Sequence, residues 1–194
     1  MKGSGPRADG KVLSAKPRLP SSPPSRHGAS HWLASVVDQF EGPLTLYAAR
    51  ITHDVERARD VVQEAFLKLL QQDLAALEPH LAEWLYTVCR NKALDIRRKE
   101  SRMTPLSDMA ADQERSHGPA PADALQLQES TAKALRYLAR LPENQQEVIR
   151  LKFQHGLSYK QISRITTLSV TNVGFLIHTG LKTLRQRMGE EAMQ

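Results

Sequence analysis

The chain has 194 residues, of which 40% are hydrophobic and 25% are charged, and its net charge is +6 at pH 7. This composition excludes a chain that is disordered throughout, and the length suits one or two small domains. The single cysteine excludes an internal disulfide, and neither a signal-peptide pattern nor an apolar run of membrane-spanning length is present, so we expect a cytoplasmic protein without membrane insertion.

Residues 1–30 carry most of the net charge, with six basic side chains against one Asp. They are rich in Pro, Ser and Gly and poor in aromatic residues, so they cannot bury enough apolar surface to offset the entropy of ordering. We predict a disordered basic tail, which serves either weak attraction to DNA or solubility alone. The rest of the chain is nearly neutral, so any binding of DNA must depend on local patches.

Residues 31–102 repeat apolar side chains at a spacing of three to four, the period of a helix that buries one face. One run begins at Trp32 and ends at Ile51, a second covers residues 55–70, and a third covers residues 84–94. Three such helices can form a bundle. The third helix continues into a basic patch at residues 90–102, where six Lys or Arg face two acidic residues.

Residues 103–123 interrupt the helical pattern and contain three prolines, which is typical of a flexible linker. Residues 103–130 hold five acidic side chains against one Arg, so the linker is acidic. A second helical domain is predicted at residues 124–188, and a short tail at residues 189–194.

Helix-boundary signals divide the second domain. Pro142 is expected at the start of one helix, and a His-Gly pair ends it. Ser158 is expected to N-cap a helix over residues 159–165, and Ser169 a longer helix to about residue 188. Two helices joined by so short a turn make a helix-turn-helix, whose second helix enters the DNA major groove. A plain αα-hairpin is the alternative for this pattern alone.

Three motifs, in this order, resemble the extracytoplasmic-function (ECF) group of the sigma-70 family. Residues 60–69, DVVQEAFLKL, resemble the region 2 helix that binds polymerase. Residues 84–98, WLYTVCRNKALDIRR, resemble the helix that melts and reads the −10 promoter element. Residues 141–185 resemble region 4, which reads the −35 element. The resemblance implies an all-α protein of two small helical domains joined by a flexible acidic linker.

The resemblance also implies a function, which is that of a non-enzymatic sigma factor with no cofactor and no metal. Its partners are core RNA polymerase and promoter DNA. Contact with core polymerase is assigned to Asp60, Gln63, Glu64 and Lys68. Contact with −10 DNA is assigned to Trp84, Tyr86, Arg90, Asn91, Asp95, Arg97 and Arg98. Contact with −35 DNA is assigned to Lys160, Ser169, Thr171, Asn172, Phe175, His178, Lys182 and Arg185.

These residue types suit the two DNA contacts. Arginines neutralise phosphates, an Asn side chain hydrogen-bonds a base edge, and Trp or Tyr can stack on an unstacked base. Trp84 also falls on the apolar face of its helix, so core packing is the role that competes with base contact there. Cys89 lies on the same face and is expected to be an inert, small hydrophobic residue.

Two acidic positions that the family has just before its polymerase-binding motif are Arg57 and Arg59 here. Against a basic polymerase surface they are expected to weaken docking. With these two arginines, the chain resembles a branch of the family in which a Ser/Thr protein kinase replaces the usual anti-sigma factor. Either a kinase or an anti-sigma factor is therefore the expected regulator. Thr52, just before the expected N-cap Asp54, is the candidate phosphorylation site. Thr45 is a weaker one.

The recognition helix departs from the family too, because residues 172–180 lack its usual Lys and Arg. Phosphate anchoring then depends on cations at the two ends of the helix-turn-helix. The loop at residues 74–83 lacks the aromatic residues that capture a −10 base, so its base preference stays open. A helix-turn-helix response regulator or repressor is the alternative function. An enzyme is not supported, since no nucleophile motif, metal-ligand spacing or Gly-rich phosphate loop occurs.

Overall fold

The computed structural model describes residues 29–103 and 123–191, and both stretches are helical. The first, which we call the N-terminal bundle, contains α1 (Ala29–Thr52), α2 (Val55–Leu69), α3 (Leu74–Leu77), a 3-10 turn (Glu78–His80) and α4 (Leu81–Met103). The second, the C-terminal bundle, contains α5 (Asp123–Ala139), α6 (Glu143–Phe153), α7 (Tyr159–Thr166) and α8 (Val170–Glu191). The all-α prediction is confirmed for the described residues. The predicted linker at residues 103–123 lies almost entirely outside the described residues. The predicted basic tail at residues 1–30 also lies outside them, apart from the start of α1.

The N-terminal bundle is built from α1, α2 and α4, each of which contacts the other two. The apolar period of the sequence places Phe40 and Leu44 of α1, Val61 and Leu69 of α2, and Leu85 of α4 in its interior, where all five side chains are buried. Burial of side chains of this size stabilises the fold by about 1.5 to 3 kcal/mol each relative to exposure. The three-helix prediction for residues 31–102 therefore holds, with α3 and the 3-10 turn as additions in the loop before α4.

The α1–α2 turn follows local capping chemistry. His53 has a φ of 56°, in the left-handed region, which ends α1 and reverses the chain. The carboxylate of Asp54 then accepts hydrogen bonds from the backbone N–H groups of Glu56 at 2.8 Å and Arg57 at 3.1 Å. Two N–H groups that have no partner inside the helix are thereby satisfied. Asp54 is the N-cap of α2, as predicted.

The helix-turn-helix has the predicted boundaries to within a few residues. Ser158 caps α7 in a capping box with Gln161, and the Ser169 hydroxyl accepts from the Asn172 N–H at 3.1 Å at the start of α8. Thr167, with a φ of 60°, makes the turn between α7 and α8. α8 runs three residues beyond the predicted end, and Pro142 lies at the N-cap of α6 rather than inside its first turn.

A glycine allows α8 to lie close to α6. A Cβ atom at Gly180 would lie 2.6 Å from Cδ1 of Ile149, which is closer than two carbon atoms can pack. A larger side chain at this position would therefore require the Ile149 side chain to move.

The two bundles are in contact. α7 of the C-terminal bundle packs against α4 of the N-terminal bundle, and the buried apolar residues of both form one continuous cluster. Arg164 of α7 also pairs with Glu83 of α4 at 3.1 Å. Among the described helices, none is long and apolar enough to cross a bilayer.

Candidate nucleic-acid interface

The outer face of α2 carries the residues assigned to polymerase contact. Asp60, Gln63 and Lys68 are exposed, as predicted, while Glu64 is only partly exposed. Glu64 pairs with Lys68 at 3.0 Å and with Lys92 of α4. Hydrogen bonds from Lys92 and Lys68 lower the pKa of Glu64. Glu64 thus also fastens α2 to α4, a role that the helical period of α2 does not reveal.

The two arginines that replace acidic residues of the family already have partners within the chain. Arg57 pairs with Asp54 at 3.5 Å and with Glu100 of α4, and Arg59 pairs with Glu56. All of these groups are substantially exposed, so each pair contributes little to stability. The positive charge that α2 presents to a partner is nevertheless partly neutralised.

The predicted −10 residues lie in three different environments along α4. Asn91, Asp95 and Arg98 are exposed, and Arg98 pairs with Asp95 at 3.3 Å. Trp84 is partly buried and packs against the hydrophobic core, which favours the packing role that competed with base contact. The remaining residues of the set, Tyr86, Arg90 and Arg97, bond to the C-terminal bundle.

Arg90 lies at the centre of a polar network between the bundles. Its Nε donates to Glu147 Oε1 at 2.8 Å and its Nη2 to Oε2 at 3.3 Å. The Tyr47 hydroxyl of α1 donates to the same Oε1 at 2.7 Å. Burial opposes the charge of Arg90, but the hydrogen bonds and charge of Glu147 outweigh it, so the pKa of Arg90 is raised. Burial, and next Glu147, raise the pKa of Tyr47 well above its ordinary value.

Tyr86 is only 2% exposed, and its hydroxyl bonds to Nδ1 of His155 at 2.7 Å. Burial, followed by the charges of Arg50 and Arg150, lowers the pKa of His155 to about 4. His155 is therefore neutral at pH 7, and it shares one hydrogen bond with the Tyr86 hydroxyl through Nδ1. In this arrangement of the bundles the ring of Tyr86 faces Tyr47 and His155 instead of solvent. Its contact with a −10 base stays a prediction, and it requires the bundles to separate.

Arg97 completes the set by pairing with Glu143 at the start of α6, at 3.2 Å. No motif of the sequence indicates the acceptors Glu143, Glu147 and His155. The sequence does contain one signal for the two glutamates. They lie one helical turn apart and so form an acidic patch that is complementary in charge to the basic patch of residues 90–102. Nothing in the sequence, however, states which surfaces of the two bundles meet.

The recognition helix presents its predicted DNA-reading face to solvent. Thr171, Asn172, Phe175, His178 and Lys182 are all exposed along one side of α8, and the aromatic ring of Phe175 makes the residue 64% exposed. The residues Lys160, Ser169 and Arg185 are exposed as well. The opposite face of α8, formed by Val173, Leu176 and Ile177, is buried, so Leu176 packs in the bundle and is not available to a partner.

The candidate phosphorylation site Thr52 and the single cysteine, Cys89, are both buried. Thr52 is 5% exposed, and its hydroxyl lies 2.8 Å from the carbonyl oxygen of Asp54 and 3.1 Å from that of Ala48. Cys89 is buried, and burial raises its pKa to about 12, which suits the small, inert side chain expected from its position. Across residues 29–103 and 123–191, no three His, Cys, Asp or Glu side chains are grouped to hold a metal ion.

The geometry is that of an all-α protein with a helix-turn-helix and a basic helix at the contact between two bundles. Two family models match it: sigma-70 region 2 matches residues 36–103, and sigma-70 region 4 matches residues 131–184. Together they cover more than half of the chain, in the order that the motifs predicted. The chain belongs to the sigma-70 family of RNA polymerase sigma factors.

Individual relatives agree with this assignment. The chain is 30% identical to a probable RNA polymerase sigma factor RfaY of Xanthomonas campestris, over 86% of this chain and 42% of that relative. It is 27% identical to the ECF RNA polymerase sigma factor SigW of Bacillus subtilis, over 84% of this chain and 92% of SigW. It is 32% identical to the ECF sigma factor RpoE of Cereibacter sphaeroides, over 56% of this chain and 58% of RpoE.

We predict that the two Arg–Glu pairs between the bundles differ in strength because they differ in burial. The Glu147→Gln change leaves the half-buried Arg90 without a counter-charge and should lower the free energy of unfolding by about 2 kcal/mol. The matched change Glu143→Gln breaks a pair whose glutamate is 75% exposed and should cost less than about 0.5 kcal/mol. Urea unfolding of the three proteins measures both values, and equal losses would contradict the burial argument.

Acid should destabilise the protein through His155. Its pKa is lower in the folded chain than in the unfolded one, so the unfolded state binds the proton first and stability falls with pH below about 6.5 until the folded pKa near 4 is reached. The loss between pH 7 and pH 5 should be about 2 kcal/mol. Urea unfolding at both pH values measures it. The His155→Gln variant should lose most of this difference in unfolding free energy between the two pH values. If the variant keeps the full difference, other titrating groups cause it.

Proposed function

We propose that the chain acts as an ECF-type sigma factor, which binds core RNA polymerase and directs promoter-specific initiation of transcription. The observation that carries this proposal is the presence of both family regions, each on its own helical bundle and in the expected order. Sigma factors of this family are initiation factors and not enzymes. The proposed function needs no cofactor.

Polymerase docking is proposed for the outer face of α2. Asp60 and Gln63 are exposed there, next to the exposed apolar side chains of Leu67 and Leu70. A surface that combines carboxylate, amide and apolar groups suits a protein partner whose facing helices are basic. Arg57 and Arg59 lie at one end of this surface and should reduce its affinity, although their intrachain partners limit the reduction.

Contact with the −10 element is proposed for α4, and it requires an exchange of partners. Arg90 and Arg97 bind the carboxylates of α6, and Tyr86 binds His155. DNA phosphates can replace those carboxylates, because a guanidinium pairs with either anion in the same geometry. The C-terminal bundle must move away from α4 for that exchange. We therefore expect the free protein to bind promoter duplex weakly and core polymerase to rescue binding.

Contact with the −35 element is proposed for the exposed face of α8. Thr171, Asn172 and His178 offer donors and acceptors to base edges, and Phe175 offers an apolar surface to a thymine methyl group. Phosphate contacts then fall to Lys160, Lys182 and Arg185, which lie at the ends of the helix-turn-helix.

We propose that an anti-sigma factor or a Ser/Thr protein kinase regulates the activity of the chain. A kinase acting on Thr52 must first gain access to a hydroxyl that is buried and bonded to backbone carbonyls. The same modification would add negative charge beside the N-terminus of α2. Because Asp54 and Glu100 already hold Arg57, the phosphate would compete with them. An anti-sigma factor needs no such local opening.

The test of function is co-purification with core RNA polymerase followed by run-off transcription from promoters mapped by transcript start sites. We expect the chain to confer initiation on core polymerase that is otherwise inactive at those promoters. A helix-turn-helix repressor or response regulator, the alternative function, would bind duplex DNA alone and confer no initiation. Nanomolar sequence-specific binding by the isolated chain at physiological salt, without initiation, would overturn the proposal.

Arg97→Ala/Arg98→Ala should lower open-complex formation at every promoter tested, because both side chains are proposed to contact phosphates and not bases. Permanganate reactivity of unpaired thymines in the polymerase–promoter complex measures the opening. Glu143→Gln controls for the lost contact between bundles and should leave opening intact. An effect that is confined to some promoter sequences would show instead that the pair reads bases.

A further inference from the structure

A cavity of about 500 Å³ lies between the bundles, lined by α1, α4 and α6. Four arginines line it: Arg50 from α1, Arg90 and Arg97 from α4, and Arg150 from α6. Two of them have counter-charges, since Arg90 pairs with Glu147 and Arg97 with Glu143, and both glutamates also line the cavity. Arg50 and Arg150 have no ion pair with any residue that the structure describes.

Arg150 is the unusual member of this set. It is only 6% exposed, and its Nη1 is buried without a hydrogen-bond partner among the described residues. Burial, and then the charge of Arg50, lower its pKa to about 10, so it stays cationic at pH 7. A buried guanidinium without an acceptor costs the full desolvation of that group.

The charges of the lining arginines and glutamates do not balance. Four arginines against two glutamates leave the cavity with an excess of two positive charges. One dianion in the cavity would restore the balance.

We propose that the cavity between the bundles binds a phosphate-bearing small molecule, held by Arg50 and Arg150. A phosphate monoester carries close to two negative charges at neutral pH, and arginine is the side chain that pairs with phosphate oxygens in two-point geometry. Asn144 and Gln146 add amide groups to the lining. This site is separate from the −35 face of α8.

The size of the cavity favours a small molecule over the phosphates of DNA. A volume of about 500 Å³ falls within the range of small-molecule sites and exceeds that of a bare phosphate ion. A DNA duplex is far wider than such a cavity, whose walls come from both bundles. A bound molecule would contact α1 and α6 together and therefore stabilise the contact between the bundles.

The test is a calorimetric titration of the full chain with AMP, with adenosine and with inorganic phosphate, at constant ionic strength set by potassium chloride. We expect saturable binding of AMP and of phosphate, and none of adenosine. Arg150→Met and Arg50→Gln should each weaken AMP binding by about ten-fold or more. The control Arg140→Gln, which removes an exposed arginine outside the cavity, should leave the affinity unchanged.

Thermal unfolding separates loss of the site from loss of the fold. Without AMP, Arg150→Met should melt at the wild-type temperature or above it, because the change removes an unpaired buried charge. Millimolar AMP should raise the melting temperature of the wild type and not that of the variant. Absence of saturable binding to the wild type, or undiminished AMP affinity in Arg150→Met, would overturn the proposal.

Discussion

The half-buried pair of Arg90 and Glu147 is the interaction on which the contact between the bundles depends. Each group alone would be costly to bury, and together with the Tyr47 hydroxyl they satisfy one another. The pair joins α4 to α6 and brings Tyr86 to His155 and Arg97 to Glu143. The exposed pairs around it add alignment rather than stability, since ion pairs in water are worth little.

Two arginines have one observed role and one proposed role, and the two roles exclude each other. In this arrangement Arg90 and Arg97 hold the C-terminal bundle, whereas the proposed promoter contact needs them to face phosphates. Polymerase docking on α2 and promoter contact along α4 both concern the N-terminal bundle, while the recognition face of α8 is exposed in either case. On the proposed assignment, the −35 face of α8 is exposed, whereas Tyr86, Arg90 and Arg97 of the −10 set bond to the C-terminal bundle. The event that separates α4 from the C-terminal bundle would then determine when these residues can contact the promoter.

The cost of this arrangement is concentrated at one place. Arg150 and Arg50 bring uncompensated positive charge to the cavity beside the Arg90–Glu147 pair. A fold selected for stability alone would place an apolar residue at position 150, because an unpaired buried cation is destabilising. Retention of a guanidinium there is the physical reason to regard the bundle contact as a place where a ligand acts, and not merely as packing.

The sequence by itself determined the helices and their caps. The apolar period fixed the buried faces of α1, α2 and α4, and Asp54, Ser158 and Ser169 cap the helices that they were expected to cap, because these signals act over one or two helical turns. The motifs at residues 60–69, 84–98 and 141–185 were sufficient for the family. Only the tertiary structure decided that Tyr86 is covered, that Glu64 joins α2 to α4, and that Glu143 and Glu147 take the arginines assigned to DNA. Those contacts join residues that are 28 to 69 positions apart. A local pattern carries no information about which distant surface a charged side chain meets.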